Sequence, residues 1–467
     1  MRQNRELILW MKRAGAAVLA GMLCVTAGNT VNTELADSVK TAWTALENKN
    51  NADIADSAVV QACAETDAGA VYTSDGTQTE DSTDAYQLTA GTSASQISKE
   101  TLEPGASYSN YQWAYKNNGN MRETVPFQTS GLILGAGGMP YQPRAIVYPI
   151  RGFKQIDAQA GIDINMDAAW QYYLQSSERR QVTVALIDTG VDTSHSELSG
   201  SIWVNEDEIP GDGIDNDGNG YVDDVNGWNF YDNNNQVQAA DGEEHATHGA
   251  GTIAAAWDGN GISGIADGNW VKIMVLKVMG GKDGVGVAEN VKKAIRYAEE
   301  NGADICNLSL GTNVYDAEMD EMIRNSSMLF VAAAGNGDSR GNGYSIDQSP
   351  IYPAAYTADN LISVANLNFD GNLETSSNYG TTGVDLAAPG TYILSTVPGG
   401  YDFMSGTSMA APMVTGVAAL VYSCRTDMSL MDVKQAILAS SRKLDTLNGL
   451  VATGGMLDAY AAISYGK

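Results

Sequence analysis

The chain has 467 residues, 50 glycines and a formal net charge of −29. This charge argues against nucleic acid and anionic membrane surfaces as partners, since both repel a strongly acidic protein. It is compatible with the binding of hard cations, and the 43% hydrophobic content is enough for a sizeable core.

The N-terminal residues 1–27 have the pattern of a secretory signal peptide. Basic residues stand before a short apolar run at 14–25, and Val25-Thr26-Ala27 fits a small-residue cleavage site. The apolar run is shorter than the roughly 18 residues that a membrane span needs. We therefore expect cleavage and a secreted, extracellular protein that has no membrane partner once the signal is removed.

Residues 28–104 are rich in Ala, Ser, Thr and Asp and poor in aromatic residues. Such a composition buries little apolar surface and is typical of segments that are disordered or loosely folded. Denser, aromatic-bearing sequence begins near Tyr111, so we place the start of a folded domain at residue 105. Residues 120–160 show no clear pattern and are interpreted as an insertion.

From Asp167 onward, short apolar runs alternate with helical patterns. The predicted strands are Val182–Ile187, Val271–Val278, Ala303–Leu308, Met328–Ala333 and Leu361–Ala365. The predicted helices are Val287–Asn301 and Ser429–Ser440. This alternation predicts an α/β fold, a doubly wound and mostly parallel sheet with helices on both faces.

Four polar residues stand where strands end or helices begin. Asp188 follows an apolar strand. A carboxylate at this position fits a functional site at the end of a parallel strand, and it fits an Asx-turn that closes the strand equally well. His245 opens a run of small residues, and its spacing of three from His248 is a weak metal pattern without an evident third ligand. Asn336 follows a buried strand, where it suits either a glycine turn or a hydrogen bond to an oxyanion.

Ser408 lies between a glycine turn and an apolar run that predicts a buried helix. Pro412 is expected in the first turn of this helix, where its missing N–H breaks no helical bond. Amide groups and the helix dipole at such a position favour developing negative charge, which suits a nucleophile. A serine N-cap on a core helix explains these residues equally well.

The surrounding motifs resolve this ambiguity. Residues 185–192, 245–255 and 406–416 resemble, in the same chain order, the aspartate, histidine and serine motifs of the subtilisin family of serine peptidases. The resemblance extends from about residue 112 to the end and implies a subtilisin-like peptidase domain at 105–467. Ala246 and Gly249 depart from the usual family pattern, but both residues are small.

The resemblance implies a role for each polar residue. Ser408 would attack the scissile carbonyl, His245 would act as general base and then acid, and Asp188 would orient the imidazole. Asn336 and the Ser408 amide would bind the oxyanion. Residues 28–104 would then be a propeptide, which makes the protein a zymogen and its own propeptide a partner.

The resemblance also implies substrate-binding residues, which are Ser309, Leu310, Gly311, Gly284, Gly286, Ala333 and Gly335. An extended peptide between two such segments gains main-chain hydrogen bonds whatever its side chains, which indicates broad specificity. Ile351 is expected at the base of the pocket for the residue before the scissile bond, where it would favour small side chains.

A separate acidic loop at 212–226 resembles a calcium loop inserted in the domain. Its expected Ca²⁺ ligands are Asp215, Asp217, Asn219, the Tyr221 carbonyl, Asp223 and Asp224. Position twelve is Asn226 rather than Glu, so the loop departs from a standard EF-hand. The alternative is a solvated loop of Asx-turns.

We therefore predict a secreted, monomeric serine endopeptidase that acts on protein or peptide substrates and carries structural calcium. One alternative is a catalytically inactive relative that serves as a peptide-binding or signalling module. Another is a dedicated peptidase that processes leader peptides.

Overall fold

The computed structural model describes residues 59–62, 107–134, 145–281, 284–338 and 340–467. For 59–62, 123–134 and 145–154 only the backbone is described. The expected signal peptide, and the expected propeptide apart from Val59–Ala62, lie outside these residues. The described residues all belong to one unit, Ala58–Lys467.

Strands and helices alternate along most of the described chain. The strands are β1 (Val59–Ala62), β2 (Arg122–Leu134), β3 (Ala145–Asp157), β4 (Val182–Asp188), β5 (Gly227–Asn229), β6 (Val271–Lys277), β7 (Met279–Gly280), β8 (Val285–Val287), β9 (Ile305–Leu308), β10 (Leu310–Gly311), β11 (Leu329–Ala333), β12 (Leu361–Leu367), β13 (Leu386–Pro389), β14 (Ile393–Val397), β15 (Gly400–Met404), β16 (Arg442–Lys443) and β17 (Gly455–Met456). The α-helices are α1 (Met166–Gln175), α2 (His245–Ala254), α3 (Ala288–Glu300), α4 (Ala317–Asn325), α5 (Thr407–Cys424), α6 (Leu430–Ala439) and α7 (Ala459–Ile463).

The main sheet has nine strands in the order β16-β17-β13-β12-β11-β9-β4-β6-β5. Its pairs are parallel except for the edge pair of β16 and β17. Every residue of β9, β11, β12 and β13 is buried. Because successive side chains point to opposite faces, both faces of the sheet are covered, as the α/β prediction requires.

Strand β4 is the first strand of the main sheet in the chain and lies inside it, between β9 and β6. The chain then adds strands on both sides of β4, so the strand order reverses there. Open α/β sheets form a crevice at such a switch point, beyond the carboxyl ends of the strands. Asp188 is the last residue of β4 and therefore lies at this crevice.

The helices form two groups that contact the sheet. Helices α3 and α4 contact each other, whereas α2, α6 and α7 each contact α5. Helix α5 is long and apolar enough to span a membrane, but 94% of its apolar window is buried inside the fold, which marks it as a core helix. The predicted helix at Ser429–Ser440 is α6, and Ser429 caps it in a capping box with Asp432.

Within the described residues, three smaller β-structures lie outside the main sheet. Strands β2 and β3 pair over 13 residues each, so the unassigned region at 120–160 contains an antiparallel hairpin. Strands β14 and β15 form a second hairpin just before α5. The third is a four-stranded sheet in the order β10-β1-β8-β7.

Two glycines of α2 give a matched test of how tightly this helix is packed. A methyl group added at Gly251 would lie 2.2 Å from Thr396 Oγ1, whereas one at Gly249 would find its nearest neighbour, Pro412 Cγ, at 3.6 Å. We expect Gly251→Ala to lower the free energy of unfolding by about 1–3 kcal/mol through overpacking. Gly249→Ala should raise it by up to about 1 kcal/mol, because alanine favours the helix. Urea denaturation measures both values, and equal effects would contradict the packing described.

Candidate active site

Asp188 and His245 meet at the carboxyl end of β4. His245 Nδ1 lies 2.7 Å from Asp188 Oδ1, and both side chains are almost fully buried. A carboxylate only accepts, so Nδ1–H is the donor, which leaves Nε2 of the neutral imidazole as an acceptor. His245 Nε2 is buried and has no hydrogen-bond partner among the described residues.

A second bond fixes the start of α2 to the same strand end. The Ala246 amide donates to Thr189 Oγ1 at 3.1 Å, and the Thr189 amide donates to Asp188 Oδ1 at 2.6 Å. The unusual Ala246 is fully buried and keeps its amide in this network. Asp188, the last residue of β4, and Thr189, the residue after it, therefore hold the start of α2 in place.

Ser408 is the second residue of α5, and its helix packs against α2. Gly249 and Pro412 lie four residues, about one turn, beyond His245 and Ser408. A methyl group built on Gly249 would lie 3.6 Å from Pro412, so the two helices touch one turn below these residues. Ser408 Oγ donates to the Ser309 carbonyl at 3.4 Å.

The expected position of Pro412 in the first turn is wrong, because α5 begins at Thr407 and places Pro412 in its second turn. Pro412 has no N–H to bond the carbonyl four residues earlier, which belongs to Ser408. Ser309 Oγ donates to that carbonyl at 3.0 Å instead. Ser309 Oγ in turn accepts from Asn307 Nδ2 at 3.0 Å, so the proline is compensated by an ordered polar network.

Asn336 lies just beyond β11 with its amide held in one orientation. Its Oδ1 accepts from the Thr407 amide at 2.8 Å and from Thr407 Oγ1 at 2.9 Å. Its Nδ2 is buried and has no partner in the described part of the chain. The free amide group is therefore presented beside the residue that precedes Ser408, whose own amide lies in the first turn of α5, where N–H groups lack helical acceptors.

The other two histidines take structural positions. His248 Nε2 contacts the Ile393 carbonyl at 2.8 Å, and burial lowers the pKa of this imidazole to about 3. His195 Nε2 contacts the Gly400 carbonyl at 3.0 Å. The structure therefore does not bring His248 and His245 together as a metal pair, since their ring nitrogens have different partners.

A buried ion pair beside the site was not predicted from the sequence. Lys277 Nζ lies 2.8 Å from Glu243 Oε2, and both side chains are buried. Lys277 is paired with Asp188 across β6 and β4, and Glu243 stands two residues before His245. Two features of the sequence could have indicated this pair. One is a lysine at the end of an apolar strand, and the other is a glutamate shortly before a histidine.

Two of the expected substrate segments lie on either side of β1, which is paired with both of them. Leu310 and Gly311 form β10, with Ser309 directly before them, while Gly286 lies in β8 and Gly284 in the preceding turn. Ala333 ends β11 and leads to Gly335, whose φ of +95° suits glycine. Ile351 Cγ2 would lie 3.7 Å from a methyl group added at Gly335, so Ile351 packs next to the segment from Ala333 to Gly335.

Three carboxylates come together at the acidic loop, and two of them, Asp215 and Asp217, are among the expected Ca²⁺ ligands. Carboxylate oxygens of Asp215, Asp217 and Glu208 lie within 4.8 Å of one another. Glu208 was missed because it precedes the loop. Asp223 instead accepts from the amides of residues 211–213, and Asp224 accepts from Tyr297 and Asn219. Asn219 Oδ1 accepts from the Tyr221 amide.

Comparison with known proteins gives consistent matches. A family profile described as Subtilase family matches residues 179–456. The chain is 34% identical to a thermophilic serine proteinase of Bacillus sp. (strain AK1), over 64% of this chain and 65% of that protein. It is 32% identical to subtilisin-like protease 1 of Plasmodium falciparum (isolate 3D7), over 66% and 46%. It is 31% identical to the major intracellular serine protease of Bacillus subtilis (strain 168), over 72% and 93%. The matches thus span less than two thirds of the first two relatives.

Thr407 offers a test of how the Asn336 amide is oriented. Thr407→Val removes the hydroxyl bonded to Asn336 Oδ1 and keeps the shape of the side chain. We expect kcat to fall about tenfold with little change in KM, less than the roughly 10²–10³-fold loss known in subtilisin for removing such a donor outright. Initial rates on a fluorescent peptide selected from a library measure this.

Thr415→Val is the matched control, because Thr415 is a buried residue of the same helix whose hydroxyl contacts Asn307 Oδ1 at 2.8 Å. Both variants should lose about 1–3 kcal/mol of stability, since Thr407→Val leaves the Gly335 amide unpaired and Thr415→Val leaves Asn307 Oδ1 unpaired. Equal kcat values for the two variants would show that Thr407 has no special role at Asn336.

Proposed function

Because the chain belongs to the subtilase family, we propose that it is a serine endopeptidase that hydrolyses peptide bonds through Ser408, His245 and Asp188. The observation that carries the proposal is the 2.7 Å contact of the buried Asp188 carboxylate with His245 Nδ1, which leaves Nε2 available as a base. This base begins a helix that packs against the helix of Ser408.

In the proposed reaction, Ser408 Oγ attacks the carbonyl carbon of the scissile bond while His245 Nε2 takes its proton. His245 then gives this proton to the leaving amine, and water hydrolyses the acyl-enzyme with the same base. Asp188 keeps the imidazole in the Nδ1–H form and stabilises the imidazolium. Ser408 Oγ must first turn from the Ser309 carbonyl toward His245.

Asn336 Nδ2 and the Ser408 amide are the proposed donors to the oxyanion. Both are ordered before substrate binds, because Thr407 holds the Asn336 carbonyl oxygen and α5 holds the Ser408 amide. Donors that need no reorganisation stabilise the charge that develops in the transition state.

The proposed substrates are proteins or peptides that bind in an extended conformation between β8 and β10. Main-chain pairing with both strands supports broad specificity. Ile351 lies next to Gly335 and would narrow the pocket for the residue before the scissile bond, which supports a preference for small residues there. We further propose secretion, on the N-terminal signal pattern, and synthesis as a precursor whose propeptide lies within residues 28–104.

We also propose structural Ca²⁺ at Glu208, Asp215 and Asp217. Three carboxylates that offer oxygen atoms within 4.8 Å of one another fit a hard cation, which prefers such ligands. No ion pair with Lys or Arg neutralises these three groups among the described residues. The ion would stabilise the loop between Asp188 and His245.

A fluorophosphonate probe tests the proposed nucleophile. We expect it to label the wild type and not Ser408→Ala, because only an activated serine hydroxyl reacts with it. Ser423→Ala is the control, since it removes another buried hydroxyl of α5, which donates to the Arg180 carbonyl, and should still be labelled. A folded wild type that resists the probe would overturn the proposal and favour an inactive peptide-binding module.

Chelation tests the calcium proposal. Excess EGTA should lower the melting temperature of the wild type, because an ion bound only to the folded state stabilises it. The variant Asp217→Asn should melt lower and respond little to EGTA. Asp212→Asn is the matched control, as Asp212 lies in the same loop outside the three-carboxylate cluster, and its response should persist. An unchanged wild-type melting temperature would contradict the proposal.

A further inference from the structure

A single buried carboxylate holds the chain just before His245. Glu243 Oε2 accepts from Lys277 Nζ at 2.8 Å and from the Ala240 amide at 3.0 Å. The other oxygen, Oε1, accepts from the Gly281 amide at 3.1 Å. A carboxylate this deeply buried is costly unless donors compensate its charge, and here three donors do so. Glu243 is therefore held in one position and is not free to act as a base.

The bond to Lys277 joins the two ends of the Asp188–His245 pair by a second route. Lys277 ends β6, and the Val278 amide after it donates to the Asp188 carbonyl at 2.8 Å. The end of β6 is thus bonded to Asp188 through the main chain and to Glu243 through a side chain. Because Glu243 stands two residues before His245, this route supports the direct hydrogen bond between the carboxylate and the imidazole.

The bond to Gly281 connects the same carboxylate to β8, one of the strands proposed to bind substrate. Gly281 follows β7, which pairs antiparallel with β8. Its carbonyl accepts from the Gly284 amide at 3.1 Å, in the turn that leads to β8. On the other side, the Glu243 amide donates to the Ala240 carbonyl at 3.0 Å, which closes the turn that precedes α2. One side chain therefore fixes both the approach to His245 and the approach to β8.

We propose that Glu243 and Lys277 are positioning residues of the peptidase, which hold the general base and β8 in one arrangement. The proposal rests on the peptidase function proposed above. The two residues act through His245 and β8 and are assigned no contact with substrate. Reacting groups must approach to about 3–3.5 Å in the correct orientation, so a small displacement of the base slows the reaction strongly. Loss of the pair should therefore lower the rate even in molecules that remain folded.

A purely structural ion pair would behave differently. Removal of one partner from any buried pair leaves an uncompensated charge and lowers stability, wherever the pair lies. Lys292 allows the comparison, because it is also buried and contacts the carboxylates of Glu289, Asp316 and Glu318, where it joins α3 to α4. Stability is thus expected to fall at either lysine, whereas the kinetic constants should change only at Lys277.

Two variants and two substrates test the proposal. Lys277→Met removes the cation, and the double variant Glu243→Gln/Lys277→Met removes both charges, so that it keeps no unpaired buried charge and should stay folded. One substrate is an extended peptide that can pair with β8, and the other is a single-residue ester that is too short to do so. Titration with a fluorophosphonate counts the reactive molecules, so that kcat refers to folded protein alone.

We expect both variants to lower kcat about tenfold on both substrates, because the base is displaced in each case. KM should rise for the extended peptide alone, because only this substrate uses β8. Lys292→Met is the matched control, which should melt at a lower temperature than the wild type and keep its kcat and KM.

The outcomes separate the two levels of the argument. Folded Lys277 variants with wild-type kcat and KM on both substrates would overturn the positioning role and leave the peptidase function standing. The same would follow if Lys292→Met lost as much kcat as Lys277→Met, since the effect would then not depend on the site. A folded wild type that neither reacts with the probe nor cleaves either substrate would overturn both proposals.

Discussion

The buried hydrogen bond between Asp188 and His245 is the interaction on which the candidate site depends. It joins residues 57 positions apart in the chain and fixes the end of β4 to the start of α2. A carboxylate this deep in the protein is costly unless it is paired, and Asp188 Oδ1 also accepts from the Thr189 amide. The same residue pair therefore serves the fold and leaves the other imidazole nitrogen, Nε2, without a partner among the described residues.

The site retains buried polar atoms that the rest of the fold would normally pair. His245 Nε2 and Asn336 Nδ2 both lack partners among the described residues. Each unpaired buried group costs roughly 1–3 kcal/mol of stability. Asn336 is bonded to Thr407, the residue before Ser408, and the proposed transition state would supply partners for both unpaired atoms. In α5, by contrast, the Ser408 carbonyl is paired. Pro412 has no N–H to donate to it, and Ser309 Oγ donates to it instead.

Sequence patterns predicted much of the fold, because long apolar runs mark buried parallel strands and motifs mark the ends of β4, α2 and α5. Other features depend on tertiary contacts that no local pattern reveals. The position of Pro412 in the second turn depended on where α5 begins. Glu208 joins the acidic loop only through folding, and the four residues of β1 form a strand because β8 and β10 supply both partners.

The tautomers of the histidines test the central claim most directly, because the chain has only 3 of them. His195 and His248 contact carbonyl oxygens through Nε2 and must carry the proton there, whereas His245 contacts a carboxylate through Nδ1. Nitrogen NMR of ¹⁵N-histidine-labelled protein, at a pH where the imidazoles are neutral, should therefore show one Nδ1–H imidazole, which disappears in His245→Gln, and two Nε2–H imidazoles. A neutral His245 with its proton on Nε2 would contradict the account, because that ring could neither donate to Asp188 nor accept from Ser408.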